Sequence, residues 1–290
     1  EDHLLIDGAR TDLAIEDLRR LGRKQEPFFL AMGYIRPHLA WIAPKKYWDM
    51  YDPQQFEITN HSLPENAPQN AYHKFGELRS YSDTPPAPQH IGDEQALRLI
   101  HGYHAAVSYV DAQVGKVLTK LDELGLSEDT IVVLMGDHGY SLGEHGLWCK
   151  HSTFDLATKT PLIIRTPNSK GDQVVTGLVE FIDIYPTLTE LANIPTPAQV
   201  AGTSLLPLLN DPSLLAKSAV FPRYHAAETI RTDKYSLTQW FDKKGSIQAQ
   251  MLYDNKNDPD ETVNLAGVAE YNEVLSYLSA QLETHIKTRK

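Results

Sequence analysis

The sequence predicts an α/β fold, with a mostly parallel sheet flanked by helices, followed by a small C-terminal antiparallel sheet with a terminal helix. Three observations favour it. Short apolar runs typical of buried strands alternate with amphipathic helices through most of the chain. After about residue 215, the pattern changes to short segments of alternating polar and apolar residues, and a helical segment ends the chain. We therefore expect an α/β core over residues 1–212 and an α+β subdomain over residues 213–290.

The first half of the chain contains two predicted helices and one predicted strand. Residues 11–25 carry apolar side chains at helical spacing. PFFLAMGY, at 27–34, is a mostly apolar run that predicts a buried strand. Residues 52–93 are rich in Pro, Asn, Gln and Ser without a clear period, which predicts a long irregular segment. The clearest helix covers 93–124, where one apolar stripe runs up to Gly125.

The second half supplies the remaining strands. TIVVLMGDHG, which starts at Thr130, predicts a buried strand that ends in a polar loop, and TPLIIRTP at 160–167 predicts a short strand between prolines. Residues 179–194 look like a strand that runs into a helix. Beyond them AVFPRYH, AETIRTDKYSLTQW and AQMLYD predict antiparallel strands, with KKGS as a turn, and a helix follows at 268–287.

Composition restricts the classes of function. The 290 residues are 41% hydrophobic and 22% charged, which is ordinary for a globular protein. The net charge of -11 makes the chain a poor candidate for binding nucleic acid or an anionic membrane surface. An anionic substrate would therefore need a local positive site. The single cysteine excludes an intrachain disulfide and a cysteine-rich zinc module, and no apolar run is long enough to span a bilayer.

The loop MGDHGYSLGEHGLWCKHSTFD, from Met135 to Asp155, concentrates the candidate functional residues. Asp137 and His138 follow a predicted strand directly, and ligands in open α/β sheets bind beyond the carboxyl ends of strands. A carboxylate and an imidazole on a tight turn can reach one divalent cation. A hydrogen-bonded Asp–His pair that caps the turn is the other reading, and the dipeptide alone favours it over a metal site. The spacing of histidines excludes a metalloprotease helix.

Three further residues have two readings each. Lys150 is either a cation that holds an anionic oxygen or a solvated surface lysine. His38 also follows a predicted strand, where it is either a site residue or a loop histidine packed on Trp41. Cys149 is a nucleophile by type, but only His151 stands near it in sequence, so an inert thiol is favoured.

Taken together, these segments resemble the sulfatase family of the alkaline phosphatase superfamily, and within it the iduronate-2-sulfatase-like group. The matching text includes PFFLAMGYIRPHLAWIAPKKYWDMY, HGYHAAVSYVDAQVGKVLTKLDELGL and TIVVLMGDHGYSLGEHGLWCKHSTFDLATKTPLII. FIDIYPTLTELANI and LYDNKNDPDETVNLA also match. The resemblance covers nearly the whole chain in the family's order, and its GDHG…GEHG…K block is specific. It implies an alkaline phosphatase/sulfatase-like fold without that fold's N-terminal strands.

The resemblance implies a role for each candidate. Asp137 and His138 correspond to two ligands of a calcium ion. Lys150 and His38 correspond to groups that hold the oxygens of a sulfate ester, and Tyr140 to a residue that lines the substrate pocket. A cation, a lysine and a histidine suit sulfate ester cleavage, because charge builds on the equatorial oxygens and on the leaving alkoxide. A histidine can also protonate the leaving oxygen.

One part of the family pattern is absent from the sequence. Family members use a formylglycine nucleophile made within a C/S-x-P/A-S-R motif, and two further aspartates complete their metal site. Here the only cysteine, Cys149, is followed by Lys-His-Ser. The chain therefore resembles the C-terminal portion of a sulfatase, and we expect it to be inactive alone. We also expect an exposed apolar sheet edge. Either an N-terminal partner chain of the same enzyme covers this edge, or the chain folds poorly alone.

Two alternative functions stay open at this point. One is a phosphatase or phosphodiesterase of the same superfamily, in which Asp-His pairs also bind metals. The other is a non-catalytic protein of sulfatase fold that binds sulfated glycans. The leading expectation is hydrolysis of a sulfated carbohydrate. The sequence does not assign a compartment, and the family alone suggests a periplasmic, extracellular or lysosomal one.

Overall fold

The computed structural model describes residues 1–24, 26–58, 62–87, 89–167, 169, 171–215 and 217–289. Its helices are α1 (Ile6–Gly22), α2 (Lys45–Trp48), α3 (Gly76–Arg79), α4 (Asp93–Glu123), α5 (Asp155–Thr158), α6 (Ile184–Leu191), α7 (Leu206–Asn210) and α8 (Asn272–Thr288). Its strands are β1 (Val132–Met135), β2 (Ser141–Leu142), β3 (Trp148–Cys149), β4 (Leu162–Arg165), β5 (Ala219–Val220), β6 (Arg223–Tyr224), β7 (Ala227–Thr232), β8 (Tyr235–Phe241) and β9 (Ile247–Asp254). This content confirms the α/β class with a small antiparallel C-terminal sheet and a terminal helix.

The two longest helices of the core, α1 and α4, pack against each other. Helix α4 confirms the helix predicted at 93–124, and Gly125 follows it with a positive φ of 67°. Helix α1 begins earlier than predicted, at Ile6. The amide of Gly8 donates to the Tyr109 hydroxyl of α4 at 2.7 Å, which satisfies one of the free donors of the first turn. That tertiary contact cannot be read from the local pattern.

Residues 27–34 are not part of a sheet, so the strand predicted there was wrong. The segment alternates half-buried and exposed side chains, and Phe29 is 82% exposed. A strand exists only where a neighbouring backbone completes its hydrogen bonds, and no described strand reaches this segment. The residues directly after this segment are held by helix α1. The buried Asp7 carboxylate accepts hydrogen bonds from the amides of Ile35 at 2.8 Å and Arg36 at 3.1 Å.

Strands β1 and β4 pair antiparallel, with Val132 opposite Arg165 and Met135 opposite Leu162. This corrects the parallel arrangement expected for the core. The loop between β1 and β4 begins and finishes at the same end of the strand pair, where the Gly136 amide donates to the Pro161 carbonyl at 3.1 Å. Strand β4 therefore runs in the direction opposite to β1. Among the described residues, the only parallel pairing is an isolated bridge between Glu65 and Val263.

The residues before α6 form no strand, so the strand predicted at the start of 179–194 was also wrong. Residues Phe181–Asp183 form a 3-10 turn that continues into α6. The buried Asp183 carboxylate accepts from the Glu180 amide at 2.9 Å and also binds Lys217 Nζ at 2.8 Å. This capping box closes the chain into a helical turn despite its apolar side chains.

The C-terminal sheet and helix confirm the predicted elements. The strand order is β5-β7-β8-β9, with β6 also paired to β7, and all neighbours are antiparallel. Helix α8 covers one face of the sheet, where Leu278 and Leu282 pack on Ile230, Leu237 and Leu252. The domain boundary between residues 212 and 213 remains a prediction.

A second core, here called the Trp41 cluster, connects the segments that carry the candidate residues. Its buried members are Leu39, Trp41, Phe75, Leu78, Ile91, Ala96, Ile100, Ala106, Trp148 and Cys149. Burial of each large side chain contributes roughly 1.5–3 kcal/mol. Gly102 of α4 permits the close approach, because a Cβ there would lie 3.3 Å from Trp41 Cβ. In the described part of the chain, no helix is long and apolar enough to cross a membrane.

One buried carboxyl group links the core loop to the C-terminal sheet. Glu261 accepts hydrogen bonds from the Asp155 amide at 2.7 Å and from Ser236 Oγ at 3.1 Å. Burial raises the pKa of Glu261 to about 7, and the nearby charge of Asp155 acts in the same direction. The folded protein therefore holds this proton more tightly than the unfolded chain.

The raised pKa of Glu261 predicts a pH-dependent stability. Its stabilising contribution is complete below pH 4.5, the ordinary pKa, and is lost as the pH rises through about 7. The free energy of unfolding of the wild type should fall by about 3 kcal/mol relative to Glu261→Gln over this window. Denaturant titrations of the full-length protein measure it, and the exposed Glu270→Gln serves as the matched control. Parallel pH profiles of wild type and Glu261→Gln would contradict the assignment.

Candidate functional site

The loop between β1 and β4 carries most of the candidate residues and is folded by close backbone contacts. After β1, the Gly139 amide donates to the Ala157 carbonyl at 2.9 Å. A side chain at Gly139 would overlap the Leu156 carbonyl, so only glycine permits this approach. Strands β2 and β3 then form a short hairpin, with Ser141 opposite Cys149, and Lys150 follows it directly.

The structure brings His38 and Lys150 together, although 112 residues separate them in sequence. Lys150 Nζ lies 3.0 Å from His38 Nε2. It also lies 2.9 and 2.7 Å from the two carboxylate oxygens of Glu77, which belongs to α3. The Lys150 side chain is only 16% exposed, so water screens these contacts incompletely. A lysine and a histidine that meet in this way can bind an anionic oxygen.

The orientation of the His38 ring is fixed from the other side. Its Nδ1 lies 3.0 Å from the Leu39 carbonyl oxygen, which can only accept, so Nδ1 carries the hydrogen. In the neutral ring, Nε2 is then the acceptor for Lys150. The neighbouring Trp41 Nε1 donates to the Pro37 carbonyl at 2.8 Å and anchors the loop in the Trp41 cluster. The loop that carries His38 is thus fixed by the packing and the hydrogen bond of Trp41.

Two more histidines surround Glu77. His151 Nε2 lies 3.9 Å from a Glu77 oxygen, and the His73 ring packs edge-on against His151 with centroids 5.6 Å apart. Burial lowers the pKa of His73 to about 4, which the charge of His151 reinforces. Burial also lowers the pKa of His151; Glu77 opposes this shift, while Lys150 and His138 add to it. Both rings are therefore mainly neutral near pH 7.

Glu77 is ionised in this environment. Burial alone would raise the pKa of its carboxyl group, but the hydrogen bond and the charge of Lys150 outweigh burial and lower it. A carboxylate is an acceptor only, which suits the two contacts from Lys150. Glu77 was not identified from the sequence, because it lies in the irregular segment and no motif or periodicity distinguishes it.

Asp137 and His138 lie side by side just beyond β1. The Asp137 carboxylate is 85% exposed and lies 3.6 Å from His138 Nε2. His138 Nδ1 lies 2.7 Å from the Gly139 carbonyl oxygen, so Nδ1 carries the hydrogen and Nε2 is free to coordinate a metal. Within the described residues, no group of three or more His, Cys, Asp or Glu side chains converges on a possible metal position. The pair therefore fits as two ligands of a site that needs further ligands.

Cys149 is a buried member of the Trp41 cluster, and Tyr140 packs against that cluster. The Tyr140 ring packs edge-on against Trp41 with centroids 5.9 Å apart, and it lies 6.4 Å from the His138 ring. Burial raises the pKa of Tyr140 far above its usual range, so the hydroxyl stays protonated. Cys149 is completely buried, and burial also raises the pKa of its thiol. This supports the inert reading of Cys149.

Two protein-family models match the chain. The sulfatase model matches residues 3–194. A model described as the C-terminal part of N-sulphoglucosamine sulphohydrolase matches residues 143–288. Together the two matches cover residues 3–288, which include the Trp41 cluster and the C-terminal sheet with helix α8.

Two relatives show the same family. A protein named sulfatase from Formosa agariphila is 32% identical over 269 residues, which cover 89% of this chain and 50% of the relative. Iduronate 2-sulfatase from Homo sapiens is 32% identical over 226 residues, which cover 67% of this chain and 41% of the relative. The chain thus spans about half of the length of the relatives that it matches.

Solved structures have the same fold. The phosphonate monoester hydrolase of Silicibacter pomeroyi superposes with a TM-score of 0.83 at 26% identity, covering 100% of this chain and 61% of the other. BT4656, solved in complex with its substrate D-glucosamine-2-N,6-O-disulfate, superposes with a TM-score of 0.80 at 21% identity, covering 96% of this chain and 69% of the other. The family model over residues 3–194 and the relatives agree that the chain belongs to the sulfatase family.

Proposed function

We propose that this chain carries one half of the active site of a sulfatase that hydrolyses a sulfate ester of a sugar. The observation that carries the proposal is the meeting of His38 Nε2 and Lys150 Nζ at 3.0 Å. The charge of His138 contributes to the lowered pKa of His151, and His151 lies 3.9 Å from the Glu77 carboxylate that binds Lys150, which supports placing the Asp137–His138 pair in the same neighbourhood.

In this proposal, Lys150 binds a non-bridging sulfate oxygen and His38 acts beside the leaving oxygen. The Lys150 ammonium is compact and incompletely hydrated, so it stabilises the charge that grows on the sulfate oxygens in the transition state. His38 takes a proton at Nε2 and can deliver it to the leaving alkoxide, while its Nδ1–H stays on the Leu39 carbonyl. Tyr140, with a hydroxyl that stays protonated, lines the pocket on the side of the Trp41 cluster.

The metal of the proposed site is calcium, which the sulfatase family generally uses. The Asp137 carboxylate is a hard oxygen ligand, and His138 presents Nε2 beside it. Calcium takes six to eight ligands, so Asp137 and His138 need further ligands to complete the site. When bound, the ion neutralises charge on the ester oxygens. The residues Asp137 and His138 hold and orient it.

The nucleophile of the family is a formylglycine, and the 290 residues contain no C/S-x-P/A-S-R motif. The single cysteine, Cys149, is buried and cannot take that role. We therefore assign the nucleophile to sequence outside these residues and expect no turnover by them alone.

The substrate class, a sulfated carbohydrate, is supported by the names of the relatives, iduronate 2-sulfatase and the glucosamine disulfate complex.

The test of the reaction class compares matched substrates on the full-length protein. An aryl sulfate should be hydrolysed with a higher kcat/KM than the corresponding aryl phosphate or phenylphosphonate ester. A preference for the phosphonate ester or the phosphate would favour the alternative that the Silicibacter pomeroyi structure suggests. Binding of a sulfated sugar without any turnover would favour the glycan-binding alternative.

Removal of the Lys150 charge should weaken the chemical step. Lys150→Ala in the full-length protein should lower kcat for the aryl sulfate by about 100-fold or more, as expected for one transition-state donor. The matched control is Lys159→Ala, an exposed lysine of the same loop, which should keep the wild-type rate. Equal rates for Lys150→Ala and the control would contradict the assigned role.

Loss of one metal ligand should change the calcium requirement. Asp137→Asn keeps the shape of the side chain but removes its charge, so the calcium concentration for half-maximal activity should rise by about tenfold or more. Activity measured after chelation and stepwise addition of calcium gives this value. The exposed Asp129→Asn, close to the start of β1, is the control and should titrate as the wild type does.

A further inference from the structure

The Lys150 ammonium has no donor left for a substrate. An ammonium group has three N–H donors. Two of them reach the Glu77 oxygens at 2.9 and 2.7 Å, and the third reaches His38 Nε2 at 3.0 Å. A sulfate oxygen that binds Lys150 must therefore displace one of these partners.

The Glu77 carboxylate is the anionic centre of this group. Besides Lys150, it faces His38 Nε2 at 3.8 Å and His151 Nε2 at 3.9 Å, and its side chain is 34% exposed. The tip of α3 that carries Glu77 is held by Leu78, which is completely buried in the Trp41 cluster. The position of the carboxylate is thus fixed by packing, and through it the position of the Lys150 ammonium.

We propose that Glu77 is a positioning residue that aims the Lys150 ammonium at the substrate and competes with the substrate for it. The inference rests on the proposed function, because it takes Lys150 as the group that binds a sulfate oxygen. Glu77 acts in two opposite ways. It orders Lys150 beside His38, which supports the chemical step, and it repels an anionic ester and occupies two of the three donors, which weakens substrate binding.

This double action gives a kinetic signature that loss of folded protein cannot give. Glu77→Gln keeps the size of the side chain but removes the charge and one of the two acceptors. Its kcat should fall by about tenfold, since a misplaced catalytic group lowers the rate steeply. Its KM should fall as well, because the competing anion is gone. A merely structural defect would reduce the amount of active enzyme and leave KM unchanged.

The experiment is a double-mutant cycle on the full-length protein with an aryl sulfate as substrate. Wild type, Glu77→Gln, Lys150→Ala and the double variant are compared, and Glu57→Gln, an exposed glutamate of the same irregular segment, is the control. In the Lys150→Ala background, Glu77→Gln should cause no further fall in kcat, because the group that it positions is absent. Glu77→Asp, which keeps the charge, should recover the wild-type KM.

The outcomes separate the inference from the proposed function. If Lys150→Ala leaves kcat unchanged, the proposed role of Lys150 fails and the inference fails with it. If Lys150→Ala lowers kcat but Glu77→Gln behaves like Glu57→Gln, only the inference is overturned. Additive losses of kcat in the double variant, or an unchanged KM in Glu77→Gln, also overturn it. If Glu77→Gln does not fold, Glu77→Asp serves as the test instead. The aspartate side chain is one methylene shorter, so its carboxylate would hold the Lys150 ammonium in a different position. A kcat equal to the wild type would then overturn the inference.

Discussion

The arrangement of the site depends on the packing around Trp41. The indole contacts Tyr103 of α4, Tyr140 of the loop after β1, and Trp148 of β3, with ring centroids 5.8, 5.9 and 6.2 Å apart. These contacts join three parts of the sequence: the loop that carries His38, helix α4, and the segment from Tyr140 to Trp148 that leads to Lys150. Because protein interiors are close-packed and deform little, a fixed position for Trp41 also fixes His38 and Lys150 relative to each other.

The charges of the site largely cancel one another, because Lys150 is paired with Glu77. The chain carries a net charge of -11, which repels a sulfate ester. Lys150 is the local cation, but Glu77 neutralises it in the present arrangement, and burial keeps His73 and His151 mainly neutral. In the proposed function, the region becomes attractive to an anion when a cation binds Asp137 and His138 or when His38 takes a proton. The metal and the histidine are thus part of substrate binding as well as of the chemical step in the proposed function.

The sequence predicted those features that local patterns determine. The stripe of α4, the alternation of β7, β8 and β9, and the position of Asp137 and His138 after a strand all follow from residues near each other in sequence. The features that it did not predict depend on distant partners. The direction of β4 follows from the path of a long loop, and Asp183 turns an apolar run into a helix start. No strand in the described part of the chain lies beside residues 27–34. Glu77 belongs to the same class, since only the fold reveals that it meets Lys150.

The two halves of the site differ in how far they are preorganised. His38, Lys150 and Glu77 satisfy one another and are supported by a buried core, so their geometry costs little to maintain. Asp137, in contrast, is 85% exposed, and its nearest partner is His138 at 3.6 Å. In the proposed function, a metal ion with additional ligands would cover the Asp137 carboxylate and fix its position. Assembly of the proposed site then consists of adding charge and ligands around Asp137 and His138, while Lys150 already has its position and must only release one of its partners.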